Sequence, residues 1–162
     1  TVKVYKYDMN SKRSEMLFSF PQKSSDASYL SVSAQYIAVI DQDNNNIRLY
    51  NRRSASVSTK QLSGLKVIGN LLVLPDGCLL VTGWDNSQLD LLHKYSRVSK
   101  EEEPVLIWSC DQVPQACGVA IDERGLIYVS GVKNKTLYIL SAEGKYILIK
   151  ITIIFYYHWV MI

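Results

Sequence analysis

Short apolar runs of strand length alternate with polar turns along the whole chain. The runs Tyr36-Ile37-Ala38-Val39-Ile40, Cys78-Leu79-Leu80-Val81-Thr82 and Leu126-Ile127-Tyr128-Val129-Ser130 are almost unbroken, which predicts strands covered on both faces. Each leads through a turn rich in Asn, Asp, Gly or Lys into a second run with aliphatics two apart. These are Ile47-Arg48-Leu49-Tyr50, Leu89-Asp90-Leu91-Leu92 and Leu137-Tyr138-Ile139-Leu140, the period of a strand with one strongly buried face. Asn, Asp and Gly tolerate positive φ and bond to their own backbone, so the intervening segments read as hairpin turns.

The runs belong to a repeat. Val39, Asn44, Ile47 and Leu49 return as Val81, Asn86, Leu89 and Leu91, and again as Val129, Asn134, Leu137 and Ile139. The Asn residues lie 42 and 48 positions apart, in the range of propeller blades and solenoid units. The recurring Asn is expected to be structural, its amide tying down loop backbone. Upstream, Leu71 to Leu74 and Val119 to Ile121 supply a further strand, closed by turns ending at Gly77 and Gly125. The first copy uses Leu30-Ser31-Val32, with Gln35 at the Gly position. Ser56-Val57-Ser58, Val105 to Trp108 and Tyr146 to Ile149 provide an outer fourth strand. Four-stranded meanders arranged about an axis make a β-propeller.

The opening of the chain matches half of this frame. Val2-Lys3-Val4-Tyr5 resembles Ile47-Arg48-Leu49-Tyr50, and Met16 to Phe20 supplies an outer strand after a polar hairpin from Asp8 to Glu15. The predicted fold is all-β, a partial propeller of about three and a half four-stranded blades. The half blade covers 1–22 and the blades 23–61, 62–110 and 111–151, so 1–151 is one incomplete propeller and the chain reads as a fragment. Residues 152–162 form an apolar tail without turn chemistry. From Tyr146 to Ile162 the run reaches 17 residues interrupted by Lys150 and His158, short for a membrane span. A non-native extension is therefore preferred to an anchor, and membrane contact is expected only if the tail is native.

The segment Ala116 to Lys145 resembles an NHL repeat, the blade of tripartite-motif NHL proteins. Gly118-Val119-Ala120-Ile121-Asp122, Gly125, Ile127-Tyr128-Val129, Asn134 and Gly144-Lys145 carry the likeness, while Lys135-Thr136 stand where the family has a His-Arg pair. The resemblance implies a binding module, with partner selection for an attached ubiquitin ligase. No RING or B-box pattern is present in this sequence. It also keeps single-stranded RNA in play, because some NHL propellers bind RNA and others proteins.

Composition changes little: 48% apolar, 20% charged and a net charge of +3 are ordinary for a globular domain. Basic residues group at Arg48, Arg52, Arg53 and Lys60, and at Lys133 with Lys135. Cys78, Cys110 and Cys117 lack metal-ligand spacing and read as small buried hydrophobes of a reduced, cytoplasmic protein. The polar segment from His93 to Pro104 reads as a long, solvated hairpin loop, and the two histidines, His93 beside it and His158 in the tail, are poor donors of a catalytic base. Asp41, Asp43, Asp85, Asp122 and Glu123 at strand ends leave a second alternative, a lactonase- or lyase-like metal site. The leading expectation is a non-catalytic module without cofactor or metal, which binds protein, alternatively RNA, not DNA, and self-associates through open blade edges. Its contact residues would be Trp84, Lys66, Lys133, Lys135 and Gln42, with Trp84 placed in the middle of a polar turn as an aromatic anchor.

Overall fold

The computed structural model describes residues 1–21, 29–84, 90–99 and 102–152. Among them every helix or strand is a strand: β1 (Val2–Asp8), β2 (Arg13–Phe20), β3 (Leu30–Val32), β4 (Tyr36–Asp41), β5 (Asn46–Asn51), β6 (Ser56–Lys60), β7 (Val67–Val73), β8 (Leu79–Trp84), β9 (Asp90–Tyr95), β10 (Leu106–Cys110), β11 (Ala116–Ile121), β12 (Ile127–Gly131), β13 (Thr136–Leu140) and β14 (Tyr146–Thr152). They form a two-stranded sheet, β1–β2, and three four-stranded antiparallel meanders, β3–β6, β7–β10 and β11–β14.

Three apolar layers separate the four sheets. Val4, Phe18 and Phe20 of the first sheet meet Ile37, Val39 and Tyr50 of the second. Tyr36, Ala38, Ile40, Ile47 and Leu49 on its other face meet Leu71, Val73, Leu79 and Val81 of the third. Leu80, Leu92 and Cys110 then meet Ile127, Val129, Tyr138 and Leu140 of the fourth. Successive side chains of a strand point to opposite faces, so a strand between two layers must be apolar at consecutive positions. That requirement explains the unbroken runs around Val39 and Val81. Each fully buried aliphatic in these layers contributes about 1.5–3 kcal/mol.

Four-residue hairpins recur with one geometry. The last turn residue takes a left-handed conformation at Lys12 (φ 54°), Asn45 (φ 49°), Ala55 (φ 49°) and Lys135 (φ 50°), the form built on a type I turn. The turn Met9–Lys12, closed by Asp8 and Arg13, is thus the counterpart of Arg52–Ala55, closed by Asn51 and Ser56. Asp8 and Asn51 each accept a hydrogen bond from the backbone N–H two residues on, both at 2.9 Å. This corrects the sequence match at the chain's opening: Tyr7, not Tyr5, takes the place of Tyr50.

A second correction concerns the third sheet. Val39 pairs with Arg48 and Val129 with Tyr138, but Val81 pairs with His93. The second copy therefore has a longer hairpin, and Leu92 rather than Leu89 takes the place of Ile47. His93, expected at the edge of a solvated loop, is a buried residue of β9. Its Nδ1 lies 3.0 Å from the Tyr95 hydroxyl, which donates to the Ser63 carbonyl. Asn86 and Asp85 lie outside the described residues, as do residues 153–162. The described residues after β9, 96–99 and 102–105, are strapped to the sheets rather than free. Val98 is buried in the layer between the second and third sheets, and its N–H reaches the Gly77 carbonyl at 3.0 Å. Lys60 Nζ donates to the Glu102 carbonyl at 2.7 Å, and the Gln61 N–H donates to Glu103 Oε2 at 3.0 Å.

Candidate functional site

Consecutive turns of an antiparallel meander lie at alternate ends of the sheet. The β4–β5, β8–β9 and β12–β13 turns therefore share one rim with the connections entering β3, β7 and β11. That rim is drawn together by hydrogen bonds between the start of each meander and the end of its second strand. The Ile40 N–H reaches the Tyr29 carbonyl at 3.1 Å, the Lys66 N–H the Trp84 carbonyl at 2.8 Å, and the Val132 N–H the Gln115 carbonyl at 3.1 Å.

Between them opens a groove of about 610 Å³, lined by Tyr29, Gln42, Asn45, Val67, Ile68, Gly69, Trp84, Gln115, Ala116, Cys117 and Val132. Gln42, Trp84 and Val132 occupy the same repeat position, three residues after the recurring Val of each copy. All three line the groove. Trp84 is the last residue of β8 rather than mid-turn as expected, and is 40% exposed. An indole left that open presents a large amphipathic face to whatever enters the groove. Of the other expected contact residues, Lys66 immediately precedes the groove strand β7, and Lys133 and Lys135 lie in the turn that Val132 opens; all three are exposed.

The groove's shape depends on links between sheets. Asn45 donates from Nδ2 to the Leu65 carbonyl at 3.3 Å and accepts from the Ile68 N–H at 2.9 Å, joining the second sheet to the third. Buried Thr82 donates to the Cys117 carbonyl at 2.9 Å and joins the third to the fourth. The Val73 N–H donates to Ser31 Oγ at 2.9 Å. Sequence reasoning gave the backbone-tying role to Asn44, whose amide instead grips the Asp41 carboxylate at 3.1 Å. The available signal for Asn45 was conformational: Asn is among the residues best suited to a non-Gly left-handed position.

The basic group around the first full blade does not form one surface. Arg48 pairs with buried Asp41 at 2.8 Å and lies 5.4 Å from the Phe20 ring centroid. Lys60 is buried at the strap, and Arg52 and Arg53 sit on the opposite rim. The carboxylates divide in the same way. Asp41 faces Arg48, whereas Asp122 and Glu123 belong to the β11–β12 turn at the far end. Desolvation acts upward on Asp122, but hydrogen bonds from the Leu126 N–H, Arg124 and the Tyr128 hydroxyl hold its carboxyl below the usual range. Among the described residues no three His, Cys, Asp or Glu side chains are grouped so as to hold an ion. Burial pushes the Cys78 and Cys110 thiols up, away from the thiolate form.

No family model matches this sequence, nor does any curated protein. Solved structures do. The WD40 domain of Toxoplasma gondii coronin is similar with a TM-score of 0.60 at 14% identity, covering 86% of this chain and 37% of that one. The fold is part of a β-propeller. A protein of unknown function from Bacteroides caccae gives a TM-score of 0.58 at 12% identity, over 93% of this chain and 54% of its own. The major allergen Mala s 1 of Malassezia sympodialis gives 0.53 at 16% identity, over 74% and 46%. The chain thus spans about half or less of the length of these three structures, and its sheets are blades: a half blade followed by three full ones.

Proposed function

We propose that this chain is a non-catalytic binding module that receives a protein partner in the groove beside Trp84. One observation carries the reading: the same repeat position in three blades, Gln42, Trp84 and Val132, converges on a single groove. Val67, Ile68, Ala116, Cys117 and Val132 give that groove an apolar lining, which suits a side chain of a protein better than a phosphate backbone. Of the basic group around the first full blade, Arg48 and Lys60 are engaged inside the fold and Arg52 and Arg53 sit on the opposite rim, which leaves only Lys66, Lys133 and Lys135 of the expected basic residues beside the groove. The resemblance of residues 116–145 to an NHL repeat supports placing the module in a tripartite-motif protein, where it would select substrates for an attached ubiquitin ligase.

The test is proximity cross-linking from the groove in cells, comparing the native chain with Trp84→Ala and with Arg53→Ala on the opposite rim. Buried aromatic anchors commonly carry 2 kcal/mol or more of binding energy. Trp84→Ala should therefore reduce recovery of the partner on the order of ten-fold or more, with Arg53→Ala unchanged. Equal recovery from both variants would place the contact elsewhere. Recovery abolished by ribonuclease, with tight binding of single-stranded oligonucleotide that weakens steeply with salt, would assign the groove to RNA.

A further inference from the structure

We propose that the segment received beside Trp84 is proline-rich and enters in the extended polyproline II form, an assignment that rests on the groove being the binding site. Strand addition does not suit this groove. β7 lies at the edge of its sheet among the described residues, but the N–H groups that a further strand would use are taken. The Ile68 N–H donates to Asn45 Oδ1 at 2.9 Å, the Leu71 N–H to Asn70 Oδ1 at 2.7 Å and the Val73 N–H to Ser31 Oγ at 2.9 Å. On the facing blade the Cys117 carbonyl accepts from the Thr82 hydroxyl at 2.9 Å. A segment that pairs by its main chain needs a row of open N–H and C=O groups, and side chains already cap that row.

The groups left open are side chains. Trp84 and Tyr29 both line the groove, each 40% exposed. Among the described residues the Trp84 indole N–H, the Tyr29 hydroxyl and the Gln42 carboxamide make no hydrogen bond. All three can donate, and the indole can do nothing else. A polyproline II helix supplies the complement. It has no internal hydrogen bonds, its prolines bring no N–H that would need an acceptor, and its carbonyls stay open. Its rings suit aromatic faces, and being formed beforehand it loses little conformational entropy on docking. Charge agrees with this occupant. None of the lining residues is Lys, Arg, Asp or Glu, so a charged side chain entering the groove would give up hydration without a partner. The exposed charges described about the mouth are of both signs, Lys66, Lys133 and Lys135 against Asp43 and Asp111, and favour neither an acidic nor a basic segment. A neutral one is the match.

The probe is blocked decaproline titrated into the full chain, compared with a neutral decapeptide of alternating threonine and valine that favours a strand. Both are read by calorimetry and by the indole N–H resonance of Trp84. Decaproline should bind at least about ten-fold more tightly than the strand peptide and should shift that resonance. Trp84→Ala should weaken its binding about ten-fold or more. Trp84→Phe, which keeps a ring and loses the donor, should weaken it roughly five-fold, while Val57→Asp on β6 leaves it unchanged. Thermal unfolding checks the fold of each variant. Preference for the strand peptide, or decaproline binding unaffected by Trp84→Ala, overturns the proposal. Where Trp84→Ala still lowers partner recovery in the proximity cross-linking, such a result removes the proline-rich occupant and leaves the groove as the binding site. Equal recovery from the native chain and Trp84→Ala overturns the groove reading and this proposal together.

Discussion

Three residues that look unrelated in the sequence, Arg48, His93 and Tyr138, hold one position of the blade, opposite the recurring Val and facing the preceding sheet. Their surroundings change with them. In the first full blade Arg48 and the Asn44 amide both engage the Asp41 carboxylate. In the last, Gly131 stands at the Asp41 position, and Asn134 donates to the Tyr138 hydroxyl instead. A Cβ at Gly131 would lie 2.8 Å from Tyr138 Cε2, so the ring needs the glycine. Arg48→Leu should therefore cost about 3–5 kcal/mol in urea unfolding, because it strands a buried carboxylate. Asp41→Gly with Arg48→Tyr, which copies the last blade, should recover most of that loss. Tyr95 offers a second test. Burial raises its pKa well above the ordinary value, so the folded state holds the phenolic proton more tightly than the unfolded chain. The resulting stability is complete below about pH 10 and falls as the pH rises beyond it. Tyr95→Phe should cost about 1–3 kcal/mol near neutral pH by removing the bond to Ser63, and should flatten the alkaline decline. The acid at Asp41 and the recurring Asn were visible in the sequence. Their partners were not, since the partner is set by which side chain the facing strand presents.

Strands were legible because their apolar positions run unbroken in the inner strands and alternate in the outer ones; hairpin length was less so. The stretch from Leu89 to Leu92 offers leucines in two frames, and the repeat matched Leu89 and Leu91 to Ile47 and Leu49, whose places the pairing gives to Leu92 and Lys94. A pattern of period two cannot distinguish such frames when both present an aliphatic. Glycine positions carry firmer information. Gly83 pairs with Ile68 at a register shift between β7 and β8, and a Cβ there would approach the Val67 carbonyl oxygen to 2.2 Å. Gly83→Ala must push the two strands apart at the mouth of the groove. A loss of about 1–3 kcal/mol is expected, the range of overpacked interiors, measured as a shift in thermal unfolding together with altered Trp84 fluorescence.

At the scale of the molecule the apolar layers among the described residues each join two successive sheets, so stability should behave as a sum over adjacent layers. Phe18→Ala removes an aromatic from the first layer and should cost about 3–5 kcal/mol locally. Hydrogen exchange should quicken through β1 and β2 while β12 and β13 stay protected; uniform quickening would show one cooperative core instead. The architecture was readable because it repeats, and Trp84 and Gln42 were readable as groove residues for the same reason. Tyr29, Gln115 and Cys117 were missed because they precede or open the first strand of a blade, where the copies share no common residue. The groove's three equivalent positions lie outside the apolar layers, each on its own blade. On the proposed reading, exchange of Gln42, Trp84 or Val132 would alter what the mouth accepts and leave the packing beneath untouched, so new specificities would be reachable one point substitution at a time, without the chain having to solve its folding problem again.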